Sequence, residues 1–147
     1  MLPREHAVYG LIFVLVIGLV FPNIGLLNLF LIFFGSFFID FDHYLIAVDK
    51  NRSLSLKKSY KYYDKLRVMW IAQERRGIKK KMPLMIFHTI EFHIIAALLG
   101  FFVWDGFLFV LLGMILHSIL DIINMHGEKA LYRREFLLFS WIAKKNF

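Results

Sequence analysis

Gly113-Met114-Ile115-Leu116-His117-Ser118-Ile119-Leu120-Asp121-Ile122-Ile123 is an apolar run broken only by small residues, one histidine and one aspartate. It reads as part of a membrane-spanning helix. At 3.6 residues per turn, His117 and Asp121 project from one face, one turn apart. An aspartate inside a span costs about 2.5–3.5 kcal/mol even on insertion scales, so such residues face inward and mark functional sites.

The rest of the chain agrees with a membrane setting. With 59% hydrophobic residues, 17 Phe among 147 residues and a mean hydropathy of +0.62, it is too apolar for a soluble domain of this size. Cysteine is absent, which excludes disulfides and thiolate metal sites. Any metal must be held by His, Asp, Glu or main chain, a donor set that favours zinc, manganese or iron. The apolar run after Arg4 lacks a small-residue cleavage site and turns straight into a second run, so it reads as a retained helix.

Four apolar segments predict helices over about 6–22, 26–48, 82–104 and 107–126. Pro22-Asn23-Ile24-Gly25 and Trp104-Asp105-Gly106 are turn chemistry that joins them as two tight helical hairpins. The expected fold is an all-α, integral-membrane four-helix bundle forming a single transmembrane domain over residues 1–147. Of the 18 Lys and Arg, 12 lie between Lys50 and Lys81, five between Lys129 and Lys145 and one at Arg4, with none in either hairpin turn. Basic residues are retained on the cytoplasmic side. Both termini and the central loop are therefore expected there, in a multi-pass protein of the cell (inner) membrane.

The central loop, residues 49–81, carries a local charge of +9, with Leu56, Tyr60, Tyr63 and Trp70 at helix-like spacing among its lysines. This pattern fits a helix lying on the anionic cytoplasmic leaflet, and fits equally well a charge signal that only sets topology. Beside four spans, anionic lipid explains it better than nucleic acid. The segment 128–147 is too short to span and reads as interfacial.

The ionisable residues of the spans converge on one depth. His6 heads the first segment, and Asp40, Asp42 and His43 lie near the cytoplasmic end of the second. His88, Glu91 and His93 open the third; His117, Asp121 and His126 run down the inner half of the fourth. Asp40 with His43, His88 with Glu91, and His117 with Asp121 each share a helix face at i,i+3 or i,i+4. Carboxylate and imidazole pairs on facing helices are how bundles build metal sites, and their number suits two or three ions. His6 and His126, taken singly, serve equally well as interhelical hydrogen-bonding residues. His93 lies roughly 140° round a helix from His88, behind the His88 and Glu91 face.

Ile39-Asp40-Phe41-Asp42-His43, then His88-Thr89-Ile90-Glu91-Phe92-His93, then His117-Ser118-Ile119-Leu120-Asp121 resemble, in order and spacing, the membrane-bound metal-dependent hydrolases regulated by LexA in bacteria. That family shows Pro-Asp-x-Asp-His, His-Arg-Gly-x-x-His and His-x-x-x-Asp. The arrangement is more distantly similar to zinc-dependent phospholipase C. Ile39 stands where the family has proline, and Thr89-Ile90 where it has Arg-Gly, so an arginine at that point is absent. The resemblance implies metal-assisted hydrolysis.

The expected function is a membrane hydrolase whose di- or trinuclear site, most simply zinc with manganese or iron as alternatives, activates water on an ester or phosphoester. The expected metal ligands are His6, Asp40, Asp42, His43, His88, Glu91, His117 and Asp121, with Asp42 and Glu91 doubling as candidates for the general base. An amphiphilic, lipid-like substrate would enter from the leaflet, and oligomerisation is compatible with the small chain. A di-iron oxidoreductase and a metal or proton transporter are the rival readings. Ionisable residues confined to one half of the spans weigh against transport.

Overall fold

The computed structural model describes residues 3–145. Its elements are α1 (Pro3–Val20), α2 (Leu26–Phe38), α3 (Phe41–Asn51), α4 (Leu56–Arg75), a 3-10 turn (Ile86–His88), α5 (Ile90–Phe102), α6 (Gly106–Gly127), a second 3-10 turn (Leu131–Arg133) and α7 (Leu138–Lys145). No strand occurs among the described residues. The all-helical class thus follows the sequence. Leu26–Asn51 and Gly106–Gly127 are long and apolar enough to cross a membrane, whereas Glu5–Val20 and Ile90–Phe102 are apolar but shorter.

The central contact is α6 on α2, with α1 against α2 and α5 against α6. Glycines set how closely these helices approach. A Cβ on Gly113 would collide with the Ile32 carbonyl oxygen and the Ser36 amide, and one on Gly35 would collide with the Val110 carbonyl. Small residues let helix backbones touch where side chains supply little hydrophobic drive of their own. Gly10 of α1 likewise leaves room for the Ser36 hydroxyl. The consequence is local: the Ser36 carbonyl comes within hydrogen-bonding reach of the histidine one turn beyond Gly113.

Two expected helices are interrupted, both at the site. The second segment does not run unbroken from 26 to 48. α2 stops at Phe38, the Asp40 amide donates to the Phe37 carbonyl at 3.3 Å, and the chain restarts as α3 with Asp40 at its cap. The third segment does not begin at 82. Pro83 disfavours helix in the residue before it, Met85 is extended, and α5 begins only after Thr89, whose hydroxyl accepts from the Phe92 amide at 3.4 Å. An N-cap threonine competes for the amide that a continuous helix would use.

The C-terminal segment is tied back across this break. Past α6, Lys129 takes a left-handed φ of 54° and the Ala130 amide donates to the Met125 carbonyl at 2.8 Å, reversing the chain. The strand-like strap that follows accepts from Met82 N–H through the Arg133 carbonyl (2.7 Å) and from Ile90 N–H through the Phe136 carbonyl (2.9 Å). Glu135 bonds Lys81 and Lys144 on its outer side.

Polar and charged side chains are buried beside apolar ones, and many large apolar side chains lie outside. Buried hydrophobic residues include Ile32, Ile39 and Met114, but His6, Asp42, His88, His117, Asp121 and Arg134 are buried as well. Leu15, Leu19, Phe30, Ile95, Phe101 and Ile123 lie outside and exposed. Large contiguous apolar surfaces mark contact with lipid or another protein.

Candidate metal centre

His6 is in the first turns of α1, Asp40 and Asp42 flank the start of α3, His88 ends the 3-10 turn before α5, and His117 and Asp121 lie in the second half of α6. All six are buried, and His43 is half-buried beside them. They gather at the end of the bundle opposite the turns at 21–25 and 103–105.

Hydrogen bonds decide which nitrogens are available. His117 Nδ1 lies 2.8 Å from the Ser36 carbonyl oxygen, an acceptor only, so it must donate its N–H. His88 Nδ1 donates to Asp42 Oδ2 at 3.0 Å, and that same oxygen accepts the Phe87 amide at 3.2 Å. In neutral rings both Nε2 atoms therefore carry lone pairs, and they face each other at 3.2 Å. Around them stand Asp40 Oδ1, 3.6 Å from His117 Nε2 and 3.8 Å from His88 Nε2, and Asp121 Oδ2, at 3.5 and 3.7 Å.

With both rings neutral, these four acceptor atoms repel one another unless a cation sits among them. Metal bonds of about 2.0–2.2 Å to nitrogen and oxygen give a tetrahedron with edges of roughly 3.3–3.6 Å, close to the separations observed here. The imidazoles are also held as ligating histidines usually are, each donating its other N–H to a carbonyl or carboxylate. His/Asp groups of this kind could hold a metal ion, and the donor set fits one.

Further donors adjoin this centre. His6 Nε2 meets Asp121 Oδ1 at 3.1 Å while its ring stacks on His117 with centroids 3.7 Å apart. His43 Nε2 is 3.4 Å from Asp40 Oδ1. His6, Asp40 and His117, and separately Asp40, His43 and His88, form triads whose ligand atoms lie within 4.8 Å. Asp40 Oδ2, Asp42 Oδ1 and His43 Nδ1 are buried without a hydrogen-bond partner at the start of α3. Because His88 and His117 each have one nitrogen already committed, the overlapping triads cannot all fill at once. A second ion on the α3 side would share Asp40 with the first.

Glu91 is not brought to the centre. Its expected i,i+3 pairing with His88 needs a continuous helix, and the break at Thr89 removes it. Glu91 Oε1 instead accepts the Phe139 amide at 3.2 Å and caps α7. His93 donates to the Thr89 carbonyl through Nδ1 and accepts Ser118 Oγ–H at Nε2, 3.0 Å away, pinning α5 to α6. His126 is exposed at the end of α6.

Three contributors escaped the sequence reading. The Ser36 carbonyl fixes the His117 tautomer, and main-chain groups carry no residue-type signal. Tyr63 of α4 donates its hydroxyl to the His43 carbonyl at 2.9 Å, with ring centroids 5.2 Å apart. Burial pushes the Tyr63 hydroxyl well above its ordinary range, keeping it a donor. Arg134, one of a basic pair that reads as a topology signal, places a guanidinium nitrogen 2.7 Å from Asp121 Oδ2. No family model matches the chain, and neither a curated protein nor a solved structure shows significant similarity to it.

Proposed function

We propose that this chain is a membrane-embedded, metal-dependent hydrolase, with α1, the α2–α3 segment, α5 and α6 as a four-helix transmembrane bundle and its centre at the cytoplasmic headgroup level. The observation that carries the reading is the 3.2 Å approach of His88 Nε2 to His117 Nε2 between the carboxylates of Asp40 and Asp121.

The membrane placement rests on the apolar exterior, the basic 49–81 loop and the confinement of buried charge to one end. α5 is only about 20 Å long at 1.5 Å per residue, less than the roughly 30 Å hydrocarbon core. The extended residues before it would supply the remaining path, with His88 on the cytoplasmic side of the midplane. A substrate with an apolar tail would reach that level from the leaflet.

A bound divalent ion, zinc by its preference for tetrahedral nitrogen and oxygen donors, supplies a Lewis acid and an acidified water. The chain does the positioning. Ser36 and Asp42 fix the two imidazoles, and the stacked His6 ring closes the α1 side. Asp42 Oδ1, which accepts no hydrogen bond and lies 3.9 Å from His43 Nδ1, is the base for a proton leaving water. The motif resemblance to LexA-regulated hydrolases supports hydrolysis as the reaction class.

The test is elemental analysis of detergent-purified protein beside the His88→Ala/His117→Ala double variant, followed by a screen of chromogenic phosphoesters and esters. One or two zinc ions per chain, lost in the variant together with metal-stimulated hydrolysis, is the expected result. Iron with oxygen-dependent turnover would replace this reading with the oxidoreductase. Protein that binds no metal after dialysis against zinc would end it.

A further inference from the structure

We infer that Arg134 is an anion-recognising residue beside the metal centre, and that the group it recognises is a phosphoryl group. The inference rests on the hydrolase reading for its place in a reaction, but not for its geometry.

Arg134 is 9% exposed, although it lies in a connecting strap near the end of the chain. The strap does not need the guanidinium to hold it. Its main chain is bonded to Met82 and Ile90, Arg133 Nη2 bonds Glu74 Oε2 at 2.7 Å, and Glu135 bonds Lys81 and Lys144. Within this anchored frame, Arg133, equally buried, pairs with Glu74 and Glu135 with the two lysines, while Arg134 turns to Asp121.

A guanidinium acting purely as counter-ion uses two parallel N–H groups on one carboxylate. Arg134 does otherwise. Nη2 bonds Asp121 Oδ2 at 2.7 Å, while the Nε–H is buried with no partner. Asp121 has little capacity left for it, because Oδ1 is engaged by His6 and Oδ2 also faces both bare histidine nitrogens. The fork therefore has one arm on a candidate metal ligand and one arm open. A second oxygen acceptor presented beside Asp121 would complete it.

The charge of that acceptor follows from its surroundings. Asp40, Asp42 and Asp121 repel an anion from the empty centre. One divalent cation and the guanidinium balance these three carboxylates, and a second cation makes the pocket positive. A phosphoryl group offers several equivalent oxygens, one for the guanidinium and others for the centre, in the planar two-point geometry that arginine matches and lysine does not. A carboxylic ester carries no charge to be recognised.

The experiment titrates inorganic phosphate, and separately dihexanoyl phosphatidate, calorimetrically into detergent-purified protein with and without zinc. Wild type, Arg134→Gln and Arg134→Lys are compared, with zinc content measured on the same samples. Binding of either ligand by wild type, weakened at least tenfold in Arg134→Gln and less in Arg134→Lys at unchanged zinc content, supports the inference. Preference for phosphatidate identifies a lipid headgroup as the source, and equal binding of both a free phosphate. Wild-type protein that binds neither ligand, or Arg134→Gln that binds as wild type does, overturns it. If Arg134→Gln does not fold, wild-type affinity in Arg134→Lys overturns it equally well. Zinc bound by every sample, with phosphate binding indifferent to Arg134, overturns the inference and leaves the hydrolase standing; absence of zinc and of phosphate binding from every sample overturns both.

Discussion

His88 and His117 approach Nε2 to Nε2 at 3.2 Å while each donates its other nitrogen elsewhere, to Asp42 and to the Ser36 carbonyl. Two neutral imidazoles so arranged present lone pair to lone pair. The relation is unfavourable for the bare protein and favourable around a cation, so the orienting partners matter as much as the ligands.

Asp42→Asn keeps the shape of the side chain but removes the charge that fixes the His88 tautomer. Loss of such an orienting partner typically weakens metal binding by about 10–100-fold. Competition with a chromophoric chelator should show that loss for zinc. Wild-type affinity in the variant would mean that Asp42 does not orient His88.

Gly113→Ala tests the helix crossing that delivers the Ser36 carbonyl. The added Cβ collides with backbone atoms of Ile32 and Ser36, which cannot swing aside as a side chain would. Overpacking of this kind costs about 1–3 kcal/mol. Thermal unfolding in detergent should register the cost, and zinc affinity should fall with it because His117 loses its anchor. A variant as stable as wild type would show that the α2–α6 approach is looser than described.

Glu91→Gln separates two fates for a residue that spacing alone assigns to the metal. Glu91 caps α7, so the variant should keep its full metal content and loosen α7 slightly, since the amide oxygen still accepts but the carboxylate charge at the helix start is gone. Faster proteolysis around Leu137 at unchanged zinc stoichiometry is the expected result. A drop in bound zinc would return Glu91 to the ligand set.

Acid should loosen the strap before the bundle. Hydrogen bonds from Lys81, and then from Lys144, hold the Glu135 carboxyl below its ordinary value of 4.5. A depressed folded-state value contributes stability that is fully present above 4.5 and is lost as pH falls through the lower, folded value. Hydrogen exchange at Met82 and Ile90, whose amides bond the strap, should therefore quicken in that acid range. In Glu135→Gln the acid dependence should disappear. If the variant keeps it, another group controls the strap.

Local pattern alone carried the helical class, four apolar segments, of which two are long enough to cross a membrane, and the residue types of the centre, because apolar runs and a charge inside them are local signals. The i,i+4 relation of His117 and Asp121 was legible for the same reason: α6 is unbroken between them. Tertiary structure alone decided the rest. Asp40 sits on a break between helices, and His88 sits outside α5, so helical spacing could not rank Glu91 against Asp42. Arg134 reaches Asp121 only because the chain reverses at Lys129 and the strap pairs with residues 82–90. The physical reason is range. Periodicity registers neighbours one turn apart, whereas a donor set depends on which backbones approach through Gly35 and Gly113 and on which nitrogen a remote carbonyl leaves bare.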